Sequence, residues 1–503
     1  MIITYRSWNS IRLLVVLLVL FLSACAGEDN PLDTTDDPET LTITSGQLSS
    51  GVLGSSYSQA LSAQGGTVPY TWSIVSGSLS GGLVLDSVTG GISGTPLSDG
   101  IFTFTVQVCD MDDTTYQKEF QLTINPASLA SECDCDPLDT LVGDTITVST
   151  VGGLTAAVAN ANNTGGNKTI LIEDGYYALT SMLYIVADHV VFRSSSGNRS
   201  SVTLAGQGMD GNVPHVFLVA ASDITIADIS LGEVANHGIQ VQGEQGANHL
   251  FVHNVRIFNT NEQMLKGSYG GESGSENGIV ECCLFEYTQD FGPQYYIGGI
   301  DVHKGINWIV RNNTFKNIRS PEEGTIAEHA IHFWSESQNP VIEKNIIINC
   351  DRGIGLGLGS SGCAGGMIRN NMIYADDQGL NNDVGIGLES ARDVSVYNNT
   401  IFFDHDYANA IEYRFAASTG NEIINNLTNK AITSRESGSA TVRNNITSAV
   451  AAWFTESSSG DLHLDDDIDT VVDAGETLAD VDDDVDCETR PQGSGYDIGA
   501  DEY

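Results

Sequence analysis

The chain has 503 residues, with 21 Lys and Arg against 65 Asp and Glu, and a formal net charge of −44. At about 100–200 residues per domain, this length fits two to four domains or one long repeat array. An apolar fraction of 41% excludes a wholly disordered chain. Because phosphate contacts need clustered Lys and Arg, the acidity argues against nucleic-acid binding and against electrostatic attachment to anionic lipid.

Residues 1–24 have the features of a bacterial export signal. Arg6 and Arg12 give a positively charged segment that precedes the apolar run Leu13–Leu22. This run is shorter than the ~20 residues of a membrane-spanning helix. The run ends in Leu22-Ser23-Ala24-Cys25, which resembles the lipobox of bacterial lipoproteins. The resemblance implies cleavage before Cys25 and a lipid on its thiol. We therefore expect an exported protein, lipid-anchored to the membrane through Cys25 at the bacterial outer membrane or cell surface, with residues 25–40 as an acidic tether.

Residues 41–125 contain short alternating strands with turn signals, which predict a small β-sandwich. The expected strands are Leu41–Ile43, Tyr70–Ile74, Phe102–Val108 and Phe120–Ile124. Residues 83–96, preceded by Pro69-Tyr-Thr-Trp72, resemble the immunoglobulin-like (Ig-like) domain of bacterial surface proteins. The resemblance implies a spacer or adhesion module, followed by a linker over residues 126–149.

Residues 150–459 repeat. One strand type ends at a recurrent anchor position, usually Asn, at intervals of 19 to 32 residues. The anchors are Asn254, Cys283, Asn313, Asn345, Asn371, Asn399, Asn426 and Asn445. A fixed period in this range indicates a solenoid, and short β units without helical patterns predict a right-handed, single-stranded parallel β-helix. The asparagines would form a ladder of side-chain amides along the stack. The predicted fold class is thus all-β, a β-helix preceded by an Ig-like sandwich.

The two ends of the solenoid also carry recognisable segments. A short amphipathic stretch, Leu154–Asn163, predicts an N-terminal cap over the open end of the stack. Residues 460–503 predict an acidic C-terminal cap, whose Asp480–Asp486 run would either bind calcium or be solvated. Cys282, Cys283 and Cys350 are expected to stack inside the repeat core.

Between the anchors lies a second strand type, whose outward residues suggest a groove. Alignment of these strands puts Lys266 in one outward row with His303 and Trp334. The neighbouring outward row contains Met264, Asp301 and His332. Three successive coils would then project Lys266, the Asp301–His303 pair and the His332–Trp334 pair side by side. A tryptophan offers an apolar face to a sugar ring, and ionisable neighbours can transfer protons.

The segment Asn261-Glu-Gln-Met-Leu-Lys266, followed by Asn277-Gly-Ile-Val280, resembles the lysine-bearing coil of polysaccharide lyase family six, which includes chondroitinase B and alginate lyases. The resemblance implies β-elimination on an acidic, uronate-containing polysaccharide. Lys266 would be the base, which requires its neutral form. His303 would stand in place of the family's arginine, as acid or carboxylate partner, with Asp301 orienting it. The candidate substrate-binding residues are Arg311, Arg319, His332, Trp334 and Glu389.

The family's acidic calcium ligands precede the lysine by a few residues. At the corresponding place this chain offers Asn259, Asn261 and Glu262, so the resemblance implies Ca²⁺ there. Zinc is not expected, because His303 and His332 lie on different coils with no evident third ligand.

Three other functions fit the same sequence. An epimerase would return the abstracted proton to the opposite face. An inverting glycoside hydrolase would need two carboxylates about 6.5–9.5 Å apart, for which Asp301 with Glu328 or Glu389 are candidates. A non-catalytic glycan-binding adhesion lipoprotein would use the sandwich and solenoid for display. Because the net charge repels an anionic glycan, the groove would need to be a local island of positive charge.

Overall fold

The computed structural model of the chain describes residues 40–46, 48, 51–52, 57–94, 96, 100–125, 135, 137–138 and 141–503. The chain divides into two compact units, residues 1–129 and 130–503. The expected export signal and Cys25 lie outside the described residues.

The first unit consists of short strands in three sheets. Thr71–Gly77, Gly100–Cys109 and Thr115–Asn125 pair antiparallel, with Gly51–Val52 parallel at the far edge. The second sheet contains Tyr57–Ala60, Leu83–Leu85 and Gly91–Gly94, and the third pairs Thr42–Ile43 with Ala63–Gln64. Alternate residues point inward, so Trp72, Ile92, Phe104 and Leu122 form part of one core.

The second unit is a parallel β-helix with three long parallel sheets. Sheet 1 has twelve strands: Asp144–Val148, Lys168–Ile172, Val190–Ser194, Ile224–Ala227, Phe251–His253, Ile279–Glu281, Ile309–Arg311, Val341–Glu343, Met367–Arg369, Ser395–Tyr397, Asn421–Ile424 and Ala440–Arg443. Sheet 2 has ten: Gly175–Ala178, Val202–Ala205, Ser230–Val234, Arg256–Thr260, Leu284–Glu286, Thr314–Lys316, Ile346–Ile348, Met372–Ala375, Thr400–Phe403 and Leu427–Thr428. Sheet 3 has ten: Leu183–Ile185, His215–Val219, His237–Gln242, Leu265–Ser268, Ile300–His303, Ile331–Trp334, Ile354–Leu356, Ile386–Glu389, Asn409–Arg414 and Ala431–Arg435.

Columns of like side chains fill the interior of the solenoid. In sheet 1 the register places β-branched residues directly above one another, all fully buried: Val252, Val280, Val310, Ile342, Ile368, Val396 and Ile423. In sheet 2, Phe285 and Phe315 stack with ring centroids 4.7 Å apart. Burial of these columns drives folding, because each side chain is covered by its neighbours on the coils before and after it and its apolar surface is removed from water.

The predicted asparagine ladder runs along the turn after sheet 1. The side-chain oxygen of Asn371 accepts from the backbone N–H of Asn345 at 3.0 Å, and the backbone N–H of Asn371 donates to Asn399 Oδ1 at 3.1 Å. Its Nδ2 also donates to Asn399 Oδ1 and to the Ile342 carbonyl, both at 2.9 Å. The same bonds recur from Asn313 to Asn445. Each amide therefore satisfies buried backbone groups that the turn leaves unpaired.

The anchor assigned to Asn254 was wrong by one residue. Cys283 begins the ladder by accepting from the backbone N–H of Val255 at 3.4 Å, so Val255 is its counterpart one coil earlier. Asn254 belongs to a parallel column in which each residue has a left-handed backbone, with φ between 48° and 58°. The column continues through Cys282, Asn312, Lys344, Asn370, Asn398, Asn425 and Asn444. Asn tolerates this conformation better than most residues, which explains why asparagine pairs recur.

The ends of the solenoid differ from their predicted bounds. Helix Val151–Thr164 covers the first coils, capped by the Thr150 side chain, which accepts from Gly153 N at 3.0 Å. Strand Asp144–Val148 precedes it and already belongs to sheet 1, so the solenoid begins inside the segment predicted as a linker. At the other end, sheet 1 finishes at Arg443.

The C-terminal segment packs against the outer face of sheet 2. Short helices Ala451–Trp453 and Ser457–Ser459 and the hairpin Phe454–Glu456 with Asp461–Leu464 surround a small core. Asp483 in the acidic run forms an ion pair with Lys344 at 2.5 Å. The acidic residues therefore pair with cations of the solenoid as well as facing solvent.

A further short helix, Gly243–Gln245, and the paired strands Ser337–Gln338 and Cys363–Ala364 lie in loops of the solenoid.

The cysteines follow the predicted pattern only in part. Cys282 forms a disulfide with Cys135, so the expectation that it stacks in the core was wrong. Its left-handed turn position points the side chain outward, whereas Cys283, one residue later, faces the interior. Cys283 and Cys350 are buried free thiols.

Replacement of one ladder residue should expose the role of the amides. Asn371→Ala leaves the buried backbone N–H of Asn345 without its acceptor and removes the amide hydrogen bonds to Asn345 and Asn399, so we expect the free energy of unfolding to fall by about 2–4 kcal/mol. Urea denaturation measures it. Asn445→Ala, at the partly exposed end of the ladder, is the matched control and should cost less; equal losses would contradict the explanation.

His463 links the C-terminal hairpin to the acidic run, with Nδ1 2.6 Å from Asp461 and Nε2 2.9 Å from Asp486. The hydrogen bond to Asp486, followed by that to Asp461, raises the pKa of His463 from 6.5 to about 9, against the effect of burial. Because the folded state binds this proton more tightly than the unfolded state, protonation of His463 stabilises the fold. The full contribution is present below pH 6.5 and is lost as the pH rises through about 9. Melting temperatures should therefore show His463→Gln destabilised at pH 6 and equal to the parent above pH 9. A pH-independent difference would contradict the assignment.

Candidate active site on sheet 3

Three adjacent strands of sheet 3 bring together the five residues expected in the groove. In the observed register Asp301 lies between Lys266 on one side and His332 on the other, and His303 lies beside Trp334. We call Lys266, Asp301, His303, His332 and Trp334 the central cluster. All five side chains belong to the outward-facing positions of their strands, because the residues between them fill the core.

The predicted alignment of the lysine coil was wrong by two residues. Lys266 shares a row with Gln240 and Asp301, whereas the sequence alignment placed it beside His303. Leu265 and Gly267 occupy the core-facing positions opposite Ile300 and Val302. Since side chains alternate with period two, a shift of two residues leaves Lys266 on the outer face.

Asp301 is the hub of the cluster. Its carboxylate is 3% exposed, and it accepts hydrogen bonds from the Lys266 ammonium at Oδ2 and from Trp334 Nε1 at Oδ1, the latter at 2.7 Å. Burial raises the pKa of Asp301, but the opposing effects of its neighbours, of which the charge of Lys266 is the largest, outweigh burial and lower the pKa below its ordinary value. Asp301 is therefore ionised at neutral pH, and its carboxylate fixes the position of the Lys266 ammonium through their hydrogen bond.

A line of aromatic rings runs across the cluster. His303 lies between Tyr269, at 5.4 Å between ring centroids, and Trp334, at 4.2 Å. Trp334 in turn stacks on His332 at 5.5 Å with the rings nearly parallel, and His332 is 4.5 Å from His329. Tyr269 is 42% exposed and was not predicted. Such a line offers flat apolar surface of the kind on which sugar rings stack.

His303 is a neutral imidazole in this setting. Its Nδ1 lies 3.1 Å from the hydroxyl of Ser335. Burial, to which the charge of Lys266 adds, lowers the pKa of His303 to about 4, although the Asp301 carboxylate acts in the opposite direction. At physiological pH this ring can accept a proton.

Two further side chains adjoin the cluster, and sequence reasoning missed one entirely. Glu328 was considered only as a hydrolase carboxylate, and His329 was not considered. The His329 ring lies over Gly355, so close that a Cβ there would stand 2.6 Å from ring atoms. The absence of a Cβ at Gly355 thus makes room for the imidazole of His329. One ligand atom from each of Glu328, His329 and His332 lies within 4.8 Å of the others, a geometry able to hold a metal ion. The closely spaced Glu328-His329-Ala-Ile-His332 was the available signal.

Three predicted substrate-binding residues lie outside the cluster. Arg311 is on sheet 1, buried and paired with Glu281 at 3.0 Å. Arg319 follows a strand of sheet 2 and pairs with Asp376 at 2.5 Å. Glu389 is on sheet 3 but two strands beyond Trp334, where Arg414 binds it at 3.0 Å. Sequence placed these residues on the right coils but could not say which sheet each would join.

The three expected calcium ligands have separate partners. Asn259 Nδ2 donates to the hydroxyl of Thr288 at 2.9 Å. The backbone carbonyl of Asn261 accepts from Gln294 at 2.7 Å. The Glu262 carboxylate lies 3.5 Å from His237 Nε2, and burial raises its pKa. Calcium binding here stays a prediction.

Comparison with known proteins agrees with both units. Residues 38–125 match the family described as "Putative Ig domain". Among solved structures, pectate lyase Pel9A aligns over 74% of this chain and 99% of its own, with a TM-score of 0.51 and 16% identity. At that identity the likeness establishes the β-helix fold alone.

More distant similarities include PL6 family alginate lyase AlyGC, with a TM-score of 0.35, 13% identity and coverage of 60% of this chain and 51% of that chain. Endo-xylogalacturonan hydrolase from Aspergillus tubingensis aligns over 60% of this chain and 94% of its own, with a TM-score of 0.36 and 11% identity. No curated protein matches the chain in sequence. Within the described residues, no helix has the length and apolar character needed to span a membrane.

The buried ion pair between Asp301 and Lys266 should make removal of Asp301 alone strongly destabilising. Asp301→Ala leaves the Lys266 ammonium, whose side chain is 12% exposed, without its partner. We expect the free energy of unfolding, measured with urea, to fall by about 3–5 kcal/mol. The double variant Asp301→Leu with Lys266→Met removes both charges and should recover most of that loss. Asp144→Ala, which removes an 85% exposed carboxylate from its pair with Lys168, is the control and should cost less than Asp301→Ala. A loss at Asp301 no larger than the control's would contradict the buried-pair assignment.

Proposed function

We propose that the protein is an exported, polysaccharide-active β-helix protein and that the central cluster catalyses β-elimination on a uronate-containing glycan. The observation that carries the proposal is the pairing, on adjacent coils, of a neutral His303 with a Lys266 ammonium fixed by Asp301. The fold shared with pectate lyase Pel9A is consistent with it. Export and attachment through Cys25 remain part of this proposal.

Elimination from a uronate requires two functions. The substrate carboxylate must be neutralised so that the C5 proton becomes acidic, and a base must remove that proton. The Lys266 ammonium has three donors, and Asp301 occupies one, so the others can reach a carboxylate. His303 can take the proton, and the electron pair then forms the C4–C5 double bond as the C4–O bond breaks. The departing oxygen takes a proton from solvent, and His303 returns its proton to solvent.

These roles reverse those implied by the family resemblance. There Lys266 is the base, which requires a neutral amine. In this structure its ammonium is held by a buried, ionised Asp301, while His303 is neutral. We therefore assign proton abstraction to His303 and charge neutralisation to Lys266. Tyr269 and Trp334 would stack on sugar rings beside the reacting unit.

The hydrolase alternative is less well supported. A general acid must carry a proton at working pH, whereas the pKa of Asp301 is lowered and both its oxygens already accept hydrogen bonds. A purely glycan-binding surface remains an outcome that experiment can distinguish.

The assay follows unsaturated uronate by ultraviolet absorbance while the full chain is incubated with alginate, chondroitin, dermatan or pectate, with and without chelator. His303→Gln should lower kcat by about 10²–10⁴-fold, as for loss of a general base. Lys266→Arg keeps the positive charge and should retain measurable turnover, whereas Lys266→Ala should not.

The outcomes separate the alternatives. Reducing ends without absorbance would indicate hydrolysis, and binding without turnover would indicate adhesion. Full turnover in His303→Gln, or complete loss in Lys266→Arg with an intact fold, would overturn the assigned roles. His189→Gln, a histidine outside the cluster whose side chain is 46% exposed, is the matched control and should leave turnover unchanged.

A further inference from the structure

A second group of ligand-type side chains adjoins the central cluster and has no role in the proposed elimination. Glu328 and His329 end the loop before strand Ile331–Trp334, and His332 is its second residue. One oxygen of Glu328 and one ring nitrogen of each histidine lie within 4.8 Å of one another. His332 Nδ1 is 3.7 Å from Glu328 Oε2. Three electron-pair donors therefore face a common point.

The tautomer of His332 is fixed by its other nitrogen. His332 Nε2 lies 3.1 Å from the carbonyl oxygen of Gly357. A carbonyl only accepts hydrogen bonds, so Nε2 carries a proton, and the tautomer able to bind a metal ion presents its lone pair at Nδ1. An imidazole oriented through one nitrogen by a backbone carbonyl is a common arrangement around metal-binding histidines.

Each of the three residues has one buried polar atom that forms no hydrogen bond with another described residue. His332 is 1% exposed and His329 is 7% exposed. Among the described residues, His332 Nδ1, His329 Nδ1 and Glu328 Oε2 are buried without a hydrogen bond. A proton on His332 Nδ1 would not repair this, because the nearest carboxylate oxygens, of Glu328 and Asp301, are 3.7 and 3.9 Å away, beyond normal hydrogen-bond length. Buried polar atoms are rarely left unpaired, which makes these three atoms candidates for binding a cation.

We propose that Glu328, His329 and His332 bind one divalent transition-metal ion of the zinc class. Two imidazoles with one carboxylate suit zinc, whereas calcium and magnesium prefer oxygen ligands alone. Tetrahedral zinc with ligand distances of about 2.0–2.2 Å places its donors about 3.4 Å apart. The 3.7 Å between His332 Nδ1 and Glu328 Oε2 is close to this spacing, and the other donor spacings, which are at most 4.8 Å, would contract by up to ~1.4 Å on binding. Gly355 has no Cβ and therefore leaves room for the His329 ring.

Three protein ligands leave a fourth coordination position for water or another ligand. Asp301, 3.9 Å from His332 Nδ1, places the central cluster beside this position. Metal binding itself does not depend on the proposed elimination. If that function holds, the ion would add positive charge next to the uronate carboxylate.

The test measures binding without any glycan. The full chain, stripped with chelator, is dialysed against Zn²⁺ and its metal content determined, and Co²⁺ substitution is followed by visible absorption. We expect one Zn²⁺ per chain and a Co²⁺ spectrum of low-symmetry, nitrogen-containing coordination. His329→Gln, His332→Gln and the isosteric Glu328→Gln should each weaken Zn²⁺ binding roughly tenfold or more. Circular dichroism of the metal-free variants checks that they are folded.

Two control variants locate the ion. His189→Gln alters a histidine–carboxylate pair elsewhere and should bind Zn²⁺ as the parent does. His463→Gln alters the other ligand-type group, with Asp486 and Asp501, and should also leave binding unchanged. No stoichiometric Zn²⁺ in the parent, retention of Zn²⁺ by Glu328→Gln and His332→Gln, or loss only in His463→Gln would each overturn the proposal. Absence of turnover in the glycan assay would leave it intact.

Discussion

In-register stacking of parallel coils is the constraint on which the functional groups depend. Strands in a sheet lie about 4.8 Å apart, so residues 35 positions apart in the chain, such as Lys266 and Asp301, become direct neighbours. The asparagine ladder helps to hold this register, because each amide bonds the backbone of the coil before it and the amide of the coil after it. A rigid sheet also needs no loop closure to bring its side chains together, which favours precise placement of a site.

Within that frame, one buried carboxylate organises the chemistry. Asp301 fixes the position of the Lys266 ammonium and of the Trp334 indole, one with each oxygen. Trp334 in turn restricts the orientation of the His303 ring, whose centroid is 4.2 Å from its own, and it stacks on His332. The charge distribution follows from the same contacts: Asp301 is ionised because Lys266 is beside it, and His303 is neutral because burial and that same cation oppose protonation.

The sequence was informative wherever a property repeats. The period, the asparagine column and the outward position of the five cluster residues all follow from alternation along strands, and the structure has them. It was uninformative where a single irregular loop sets the outcome. The register of Lys266 depended on whether Leu265 lies opposite Val302 or, as in the structure, opposite Ile300. His329 lies in a loop, so no strand alternation predicts its direction. The Cys135–Cys282 disulfide joins residues 147 positions apart and has no local signal.

Electrostatic balance connects the two proposals. The sequence required an island of positive charge for an anionic glycan, yet the Lys266 ammonium is offset by Asp301, and Lys304 nearby lies 3.4 Å from both Glu272 and Glu336. With neutral His303, the central cluster together with Glu328 carries no excess of cations, on a chain whose formal charge is −44. An anionic sugar would be repelled from such a surface unless another cation were present. A divalent ion held by Glu328, His329 and His332 would make the net charge beside the central cluster positive, where the proposed elimination needs to bind the substrate carboxylate. The three residues with unpaired buried atoms therefore lie where the proposed chemistry needs a cation.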